Sequence, residues 1–215
     1  LVNRNGQLGT FFKVNGEEYA VSAPGKFSVY NAVAAITVCR HYGIDQEIIR
    51  KALKTIRVPG RVEVIDNDRG YLLLIDYAHN AMSLKNILET MRRYHPRQLW
   101  VLFGCGGGRS AARRREMGCV AGKYADFTVI TSDNPRYEEP ERIMQTIEEG
   151  MKETKGQYQM MVDRKEAMRF MLAQGRPGDI LILAGKGHEQ YQEIKGDYLP
   201  FNERKIAQEI LADLD

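Results

Sequence analysis

Residues 98–120 read QLWVLFGCGGGRSAARRREMGCV, and this stretch decides the fold. Residues 99–103 form an apolar run too short for a helix and ended by a glycine, the pattern of a buried strand. Gly104, Gly106, Gly107 and Gly108 then break the run. An alanine- and arginine-rich segment follows, with helical composition over 111–123. Strand, glycine loop and helix in that order make one half of a βαβ unit.

The same alternation continues on both sides. Strands are expected at 62–66, 71–75, 98–103, 127–131, 158–162 and 180–184. Helices are expected at 83–94, 111–123, 140–150, 164–173 and 202–213. Such spacing predicts an α/β fold whose sheet is mostly parallel, with helices on both faces. Upstream the pattern differs. Apolar runs at 8–14 and 17–21 flank Asn15-Gly16, a hairpin signal. PGKFSVYNAVAAITVCRHYG (24–43) reads as a helix stopped at Gly43, and a second helix starts from Asp45. VPGR at 58–61 breaks that helix, and a domain boundary is expected there, giving parts 1–59 and 60–215.

With 215 residues, 43% of them hydrophobic, the chain can build one large domain or one and a half ordinary ones. A net charge of +3 gives no argument for nucleic acid. No apolar run approaches the ~20 residues that span a bilayer, so no membrane partner is expected. Cys39, Cys105 and Cys119 form neither a CxxC pair nor a zinc spacing, so no metal site is expected and a reducing cytoplasm is the simplest reading. The opening LVNRNGQLGTFFKV reads as an interior stretch, and a longer protein is expected around it.

In parallel sheets, ligands sit beyond the carboxyl ends of the strands. Four strand ends here carry polar or glycine-rich loops: DYAHN (76–80), GCGGGRS (104–110), SDNPR (132–136) and GKGHE (185–189). On one sheet edge they make a binding site by geometry alone. The glycine loop lets amides approach an anion at a helix start. It fails the P-loop pattern, because Arg109 stands where glycine is needed. Gly106 to Ala111 fit G-x-G-x-x-A, but Asp126, the nearest acid at the right distance, begins a strand instead of ending one, which disfavours a nicotinamide dehydrogenase. Arg109 and the run 113–115 favour anion binding, with part of the run a solvated helix face.

Each remaining loop has a bland reading beside the functional one. Asp76 suits a ribose hydroxyl or an Asx turn before a helix. GKGHE sets Lys186, His188 and Glu189 on a turn that two glycines make flexible, with no nucleophile elbow to accompany them. In SDNPR, Arg136 can fork onto a carboxylate and Asp133 can take an ammonium, as an amino acid would require. Alone, that loop reads as a self-satisfied Asp–Arg surface pair. With three other polar loops on the same edge, it reads as a ligand site.

GRVE (60–63), DYAHN (76–80), FGCGGGR (103–109), TSDNPRYEEP (131–140) and AGKGHEQYQ (184–192) occur in this order in the Mur ligases, and the sequence resembles that family, chiefly its diaminopimelate-adding branch. PGKFSVYNAVAA (24–35) resembles the segment closing the family's central ATPase domain. The resemblance implies that residues 1–59 are the tail of that domain and 60–215 a Rossmann-like C-terminal domain that brings the amino acid. It implies ATP and Mg²⁺ as cofactors, with amide formation between UDP-MurNAc-L-Ala-D-Glu and meso-diaminopimelate. It implies nucleotide contacts from Asn31, Arg61, Asp76 and His79. For the amino acid it implies Arg109, Asp133, Asn134, Arg136, Gly185 and Glu189, with Arg136 reading a distal carboxylate that lysine lacks. It assigns this stretch no catalytic residue. A monomer is expected, and the chain alone, having no P-loop, is expected not to turn over ATP. Gly108 and Ser110 replace two aspartates common in the family, Arg115 a proline and Ser28 an asparagine. Other readings are a standalone amino-acid or nucleotide binding module, the lysine-adding version of the ligase, and a folylpolyglutamate-synthetase-type ligase.

Overall fold

Five-residue strands with no exposed side chain run through the middle of this protein, and their continuous burial dictates its layers. The computed structural model describes residues 8–214. The chain divides into two compact units, Leu1–Val58 and Pro59–Asp215.

In the first unit, β1 (Thr10–Val14) and β2 (Glu17–Val21) form the antiparallel hairpin read from Asn-Gly. Asn15 and Gly16 have φ of 51° and 83°, the mirror-image turn that matches strand twist. Helices α1 (Lys26–His41) and α2 (Gln46–Thr55) follow. Asp45 caps α2 by accepting from the Glu47 and Ile48 amides. Tyr19, Val21, Ala32, Ile36, Ile49 and Leu53 form this unit's core.

The second unit holds a six-stranded sheet of order β3-β4-β8-β5-β6-β7. Its strands are β3 (Glu63–Ile65), β4 (Leu72–Asp76), β5 (Leu99–Phe103), β6 (Phe127–Ile130), β7 (Gln157–Met160) and β8 (Ile180–Ala184). Only β3 is antiparallel to its neighbour; β4, β8, β5, β6 and β7 are parallel. The helices are α3 (Ala81–Arg92), α4 (Ala111–Tyr124), α5 (Pro140–Lys152), α6 (Arg164–Gln174) and α7 (Glu203–Asp213). Strand pleating splits the side chains. Leu73 and Ile75 of β4, Trp100 and Leu102 of β5 and Leu181 and Leu183 of β8 pack with Met168, Met171 and Ile210 of α6 and α7. The alternate residues Leu74, Val101 and Ile182 are also fully buried, on the face where α3, α4 and α5 pack side by side. Both faces are therefore covered, as an α/β sheet requires.

Boundaries shift by at most two residues from the sequence reading, as at α3 and β7. Helix α3 starts two residues earlier than expected, because Asn80 and Ser83 form a reciprocal capping box. Strand β7 is an edge strand of polar sequence, QYQM, lying one or two residues before its expected place. One hairpin is unanticipated: β9 (Tyr191–Ile194) and β10 (Asp197–Pro200), joined at Lys195-Gly196 with φ of 52° and 91°.

The chain passes from β4 to β5 through α3, works outward to β7, then returns through α6 to insert β8 between β4 and β5. The carboxyl ends of β4, β8, β5 and β6 thus lie side by side on one edge. All four expected loops are on that edge.

Candidate functional site

Lys186 organises the site. Its side chain is fully buried, and Nζ donates to Asp133 Oδ1 at 3.2 Å, Asn134 Oδ1 at 2.9 Å and Glu189 Oε2 at 3.2 Å. An ammonium has three N–H groups, and all three are used. The loop after β8 is accordingly held in place, contrary to the flexible turn its glycines suggest. Gly185, at φ +106°, donates its amide to the Asp76 carbonyl, and a Cβ there would lie 3.2 Å from Asp133 Oδ2. Glu189 Oε2 also accepts from Asn134 Nδ2 at 2.9 Å, and Tyr77 donates to Glu189 Oε1 at 3.4 Å. Burial and the Glu189 carboxylate together raise the Tyr77 phenol above its usual range.

The Asp133–Arg136 turn is not a self-satisfied pair. Asp133 is bound to Lys186, while Arg136 Nε donates to Glu193 Oε2 at 2.8 Å and its Nη1 to the Gly107 carbonyl at 2.6 Å. Glu193 belongs to the unanticipated β9–β10 hairpin. Gly107 in turn donates to the Asn134 carbonyl at 2.9 Å, so the glycine loop and this turn lie backbone to backbone. A Cβ on Gly107 would sit 2.0 Å from the Pro135 carbonyl oxygen, which requires glycine.

The arginines after the glycine loop divide into three roles. Arg114 is buried and grips Glu138 through both Nη atoms at 2.9 Å, also reaching the Gly106 carbonyl. With the Gly108 amide, it holds the Glu138 carboxyl down at about 2. Arg113 donates to the His79 carbonyl, and Arg115 pairs with Glu149 on the surface. Arg109 is exposed, with no hydrogen-bond partner among the described residues. Ser110 caps α4 through the Arg113 amide. Cys105 is buried beside Asp133, and burial pushes its thiol up to about 12, which makes it inert.

The four residues expected at a nucleotide are placed differently. Asp76 is buried, and its two carboxylate oxygens accept from the Val62 and Ala78 amides, each at 2.9 Å. This is the Asx turn left open as the alternative. Burial outweighs those amides and Arg61 and raises its carboxyl above the usual range. Arg61 lies over the Tyr77 ring at 4.6 Å. His79 is exposed, its ring 4.6 Å from Tyr77, with His188 on the same ring at 5.2 Å. Asn31 lies on the exposed side of α1 in the first unit. Asp126 begins β6 at the opposite sheet edge, bound to Arg92 and the Leu99 amide, which removes the dinucleotide reading.

One cleft collects the rest. Its walls include Tyr77, His79, Arg109, Asp133, Arg136 and Glu189, all from the second unit. Cations of the glycine loop, Arg136, Asp133 and Glu189 thus line one space. Glu193 was not singled out from sequence, and Lys186 and Arg114 were read only as a turn lysine and part of a basic run, although each acts directly on this cleft's residues.

The profile of the family described as "Mur ligase, glutamate ligase domain" matches residues 60–187, more than half of the chain. The chain belongs to the Mur ligase family. Among its relatives is the UDP-N-acetylmuramoyl-L-alanyl-D-glutamate–2,6-diaminopimelate ligase of Caldanaerobacter subterraneus subsp. tengcongensis, 46% identical over 214 residues, covering 98% of this chain and 44% of that one. The ligase of the same name from Aquifex aeolicus is 40% identical, covering 97% and 43%. A solved structure of a protein so named superposes with a TM-score of 0.70 at 35% identity, covering 95% of this chain and 42% of that one. This Mur ligase chain therefore spans less than half the length of the relatives it matches. Among the described residues no helix is long and apolar enough to cross a membrane.

Proposed function

We propose that this chain is the amino-acid-binding part of an ATP-dependent, amide-forming Mur ligase that adds meso-diaminopimelate to UDP-MurNAc-L-Ala-D-Glu. Residues 60–215 would be its C-terminal domain and 1–59 the tail of its ATPase domain. The observation that carries this reading is the charge layout of the cleft. Asp133 and Glu189 flank the buried Lys186, while Arg136 and the unpartnered Arg109 face the same space. Two carboxylates against two guanidiniums suit a ligand with both ammonium and carboxylate groups, and a second carboxylate can meet the Nη groups of Arg136 that Glu193 and Gly107 leave open.

In the proposed reaction, the carboxylate of the UDP-MurNAc-dipeptide attacks the ATP γ-phosphoryl group and ADP leaves. The diaminopimelate amine then attacks the acyl phosphate carbon, phosphate leaves, and the amine's proton is lost. Here the chain's part is positioning, which matters because most of the gain in phosphoryl and acyl transfer comes from alignment and charge stabilisation. Arg109, Asp133, Asn134, Arg136, Gly185 and Glu189 would hold the amino acid. Asn31, Arg61, Asp76 and His79 would meet the nucleotide, with Asp76 acting through its hold on the Val62 and Ala78 amides. Among the described residues no cluster of three His, Cys, Asp or Glu side chains forms a metal cradle. Mg²⁺ needs only one or two carboxylates beside phosphate oxygens and water, so it would enter with the ATP phosphates. Such a ligase works where its nucleotide substrates are, in the cytoplasm, and the proposal makes it a monomer.

The test is phosphate release by the complete ligase carrying this chain, with ATP, Mg²⁺ and UDP-MurNAc-L-Ala-D-Glu, adding meso-diaminopimelate or L-lysine. Diaminopimelate is expected to support release, and L-lysine only slow release at high concentration. Arg136→Ala should lower kcat/KM for it by about 10- to 100-fold, the worth of hydrogen bonds to a charged group. Equal use of lysine would overturn the substrate assignment. Release with neither, from folded protein, would favour a binding module.

A further inference from the structure

Arg136 is a non-glycine residue at φ 55°. Such backbone costs about 1–3 kcal/mol and persists only where its surroundings over-determine it. Those surroundings are the β9–β10 hairpin. The Arg136 amide donates to the Glu193 carbonyl at 3.0 Å, and the Lys195 amide to the Arg136 carbonyl at 2.7 Å. The same hairpin holds the residues before it. Glu193 donates its amide to Asn134 Oδ1 at 3.0 Å, and Gln192 Nε2 donates to the Asp133 carbonyl at 2.9 Å.

The side chain is held from the same place. Glu193 Oε2 takes the Nε–H of Arg136, and the Gly107 carbonyl takes one N–H of Nη1. The other Nη1 hydrogen and both on Nη2 have no partner among the described residues. Nη2 and half of Nη1 are thus open to the oxygens of a carboxylate. Glu193 is only 18% exposed and Arg136 33%, so this pair is more protected than an ordinary surface ion pair.

We propose that Glu193 is a positioning residue that holds the open Nη groups of Arg136 toward the cleft, making the β9–β10 hairpin the support for selecting an amino acid with a second carboxylate. This rests on the amino-acid reading above. Without the Glu193 carboxylate, Arg136 keeps its charge but loses its fixed direction. An arginine carries about 2 kcal/mol of rotamer entropy, which a bound carboxylate would then have to overcome. A ligand without the distal carboxylate does not use Arg136, so it should not sense Glu193 at all.

The test is a double-mutant cycle in the complete ligase, following phosphate release at saturating ATP and nucleotide substrate. Glu193→Ala should raise KM for meso-diaminopimelate about 5- to 20-fold, as part of the arginine's rotamer freedom is returned to it. It should leave kcat, KM for ATP and the slow use of concentrated L-lysine within about twofold. Glu193→Gln still accepts from Nε and should stay close to wild type. In an Arg136→Ala background, Glu193→Ala should cost nothing further, because the two act as one unit. An equal loss with diaminopimelate and lysine, or a full additional loss in that background, would overturn the proposal. If Glu193→Ala does not fold, Glu193→Asp, one methylene too short to reach Nε, replaces it in the cycle. If Arg136→Ala matters and Glu193→Ala does not, only the hairpin's role fails. If Arg136→Ala itself leaves diaminopimelate use unchanged, the amino-acid reading fails with it.

Discussion

Replacing Lys186 by methionine keeps nearly the same length of side chain and deletes only the ammonium. In the folded protein that ammonium is wholly buried with three acceptors. The loss is shared unequally. Asn134 Oδ1 keeps the Glu193 amide, and Glu189 Oε2 keeps the Asn134 amide group. Asp133 Oδ1 keeps neither a donor nor a counter-charge. Breaking a buried ion pair from one side costs about 3–5 kcal/mol. Side-chain exposures of 10% for Asp133 and 19% for Glu189 let some water in and place the expected loss near the lower end, about 3 kcal/mol. For a unit the size of Pro59–Asp215, 1 kcal/mol is worth about 2–4 °C, so the midpoint should fall by about 6–12 °C. The assay is built in. Trp100, the chain's single tryptophan, lies buried on β5, so its fluorescence follows the second unit through urea or heat. A loss below about 1 kcal/mol, the value of a surface pair, would refute the view that Lys186 holds this site together.

Two other perturbations follow from the same geometry. Glu138 titrates at about 2 in the fold, against an ordinary value of 4.5, because Arg114 and the Gly108 amide hold its charged form. A depressed carboxylate contributes stability above its unfolded pKa and loses it as pH falls through the folded one. The stability gap between wild type and Glu138→Gln should therefore be present at neutral pH, shrink from about pH 4.5 downward and close near pH 2. With the Glu138 side chain 39% exposed, solvent screening limits that gap to about 1 kcal/mol, measurable by urea unfolding at each pH. Gly60→Ala meets two obstacles, a φ of +68° and a His188 amide nitrogen 2.2 Å from the new Cβ. It should destabilise the second unit by about 3 kcal/mol, read by the same fluorescence; an unchanged midpoint would mean that the two backbones do not pack there.

How much of this was legible in the sequence depends on where each signal lives. The six sheet strands and five helices of the second unit announce themselves, because buried strands and capped helices write their pattern in consecutive residues. The strand-end loops followed from the parallel order alone. The β9–β10 hairpin was missed because most of its side chains are exposed or half-exposed and show no apolar alternation. Lys195-Gly196, with tyrosines on either side, was its one local signal. Lys186 and Arg114 were noted, as a turn lysine and part of a basic run, but their burial was missed for a different reason. A lysine or arginine is read as solvent-facing, and its burial depends on acids about 50 and 24 residues away, Asp133 and Glu138. The same holds for Arg164, fully buried against Glu203 and donating to the Ser132 and Ala184 carbonyls just before two of the site loops. Asp76 was singled out for a ribose hydroxyl, but its two oxygens accept from local amides that only the backbone path reveals.

The position of β8 also constrains how the molecule is made. Leu72–Asp76 pairs with Ile180–Ala184, more than a hundred residues later, and Leu99–Leu102 pairs with the same late strand. Until that segment leaves the ribosome, β4 has only the three-residue β3 beside it, and β5 presents a bare inner edge. The two halves of the sheet wait for their middle. Contacts of such sequence separation slow folding and prolong the exposure of unpaired edges. The binding edge is then assembled in a single late event, because the strand that closes the sheet is also the one that delivers Gly185 through Glu189. A nascent chain that stops short of residue 180 would lack not just one loop of the site but the strand that sets the spacing of all the others.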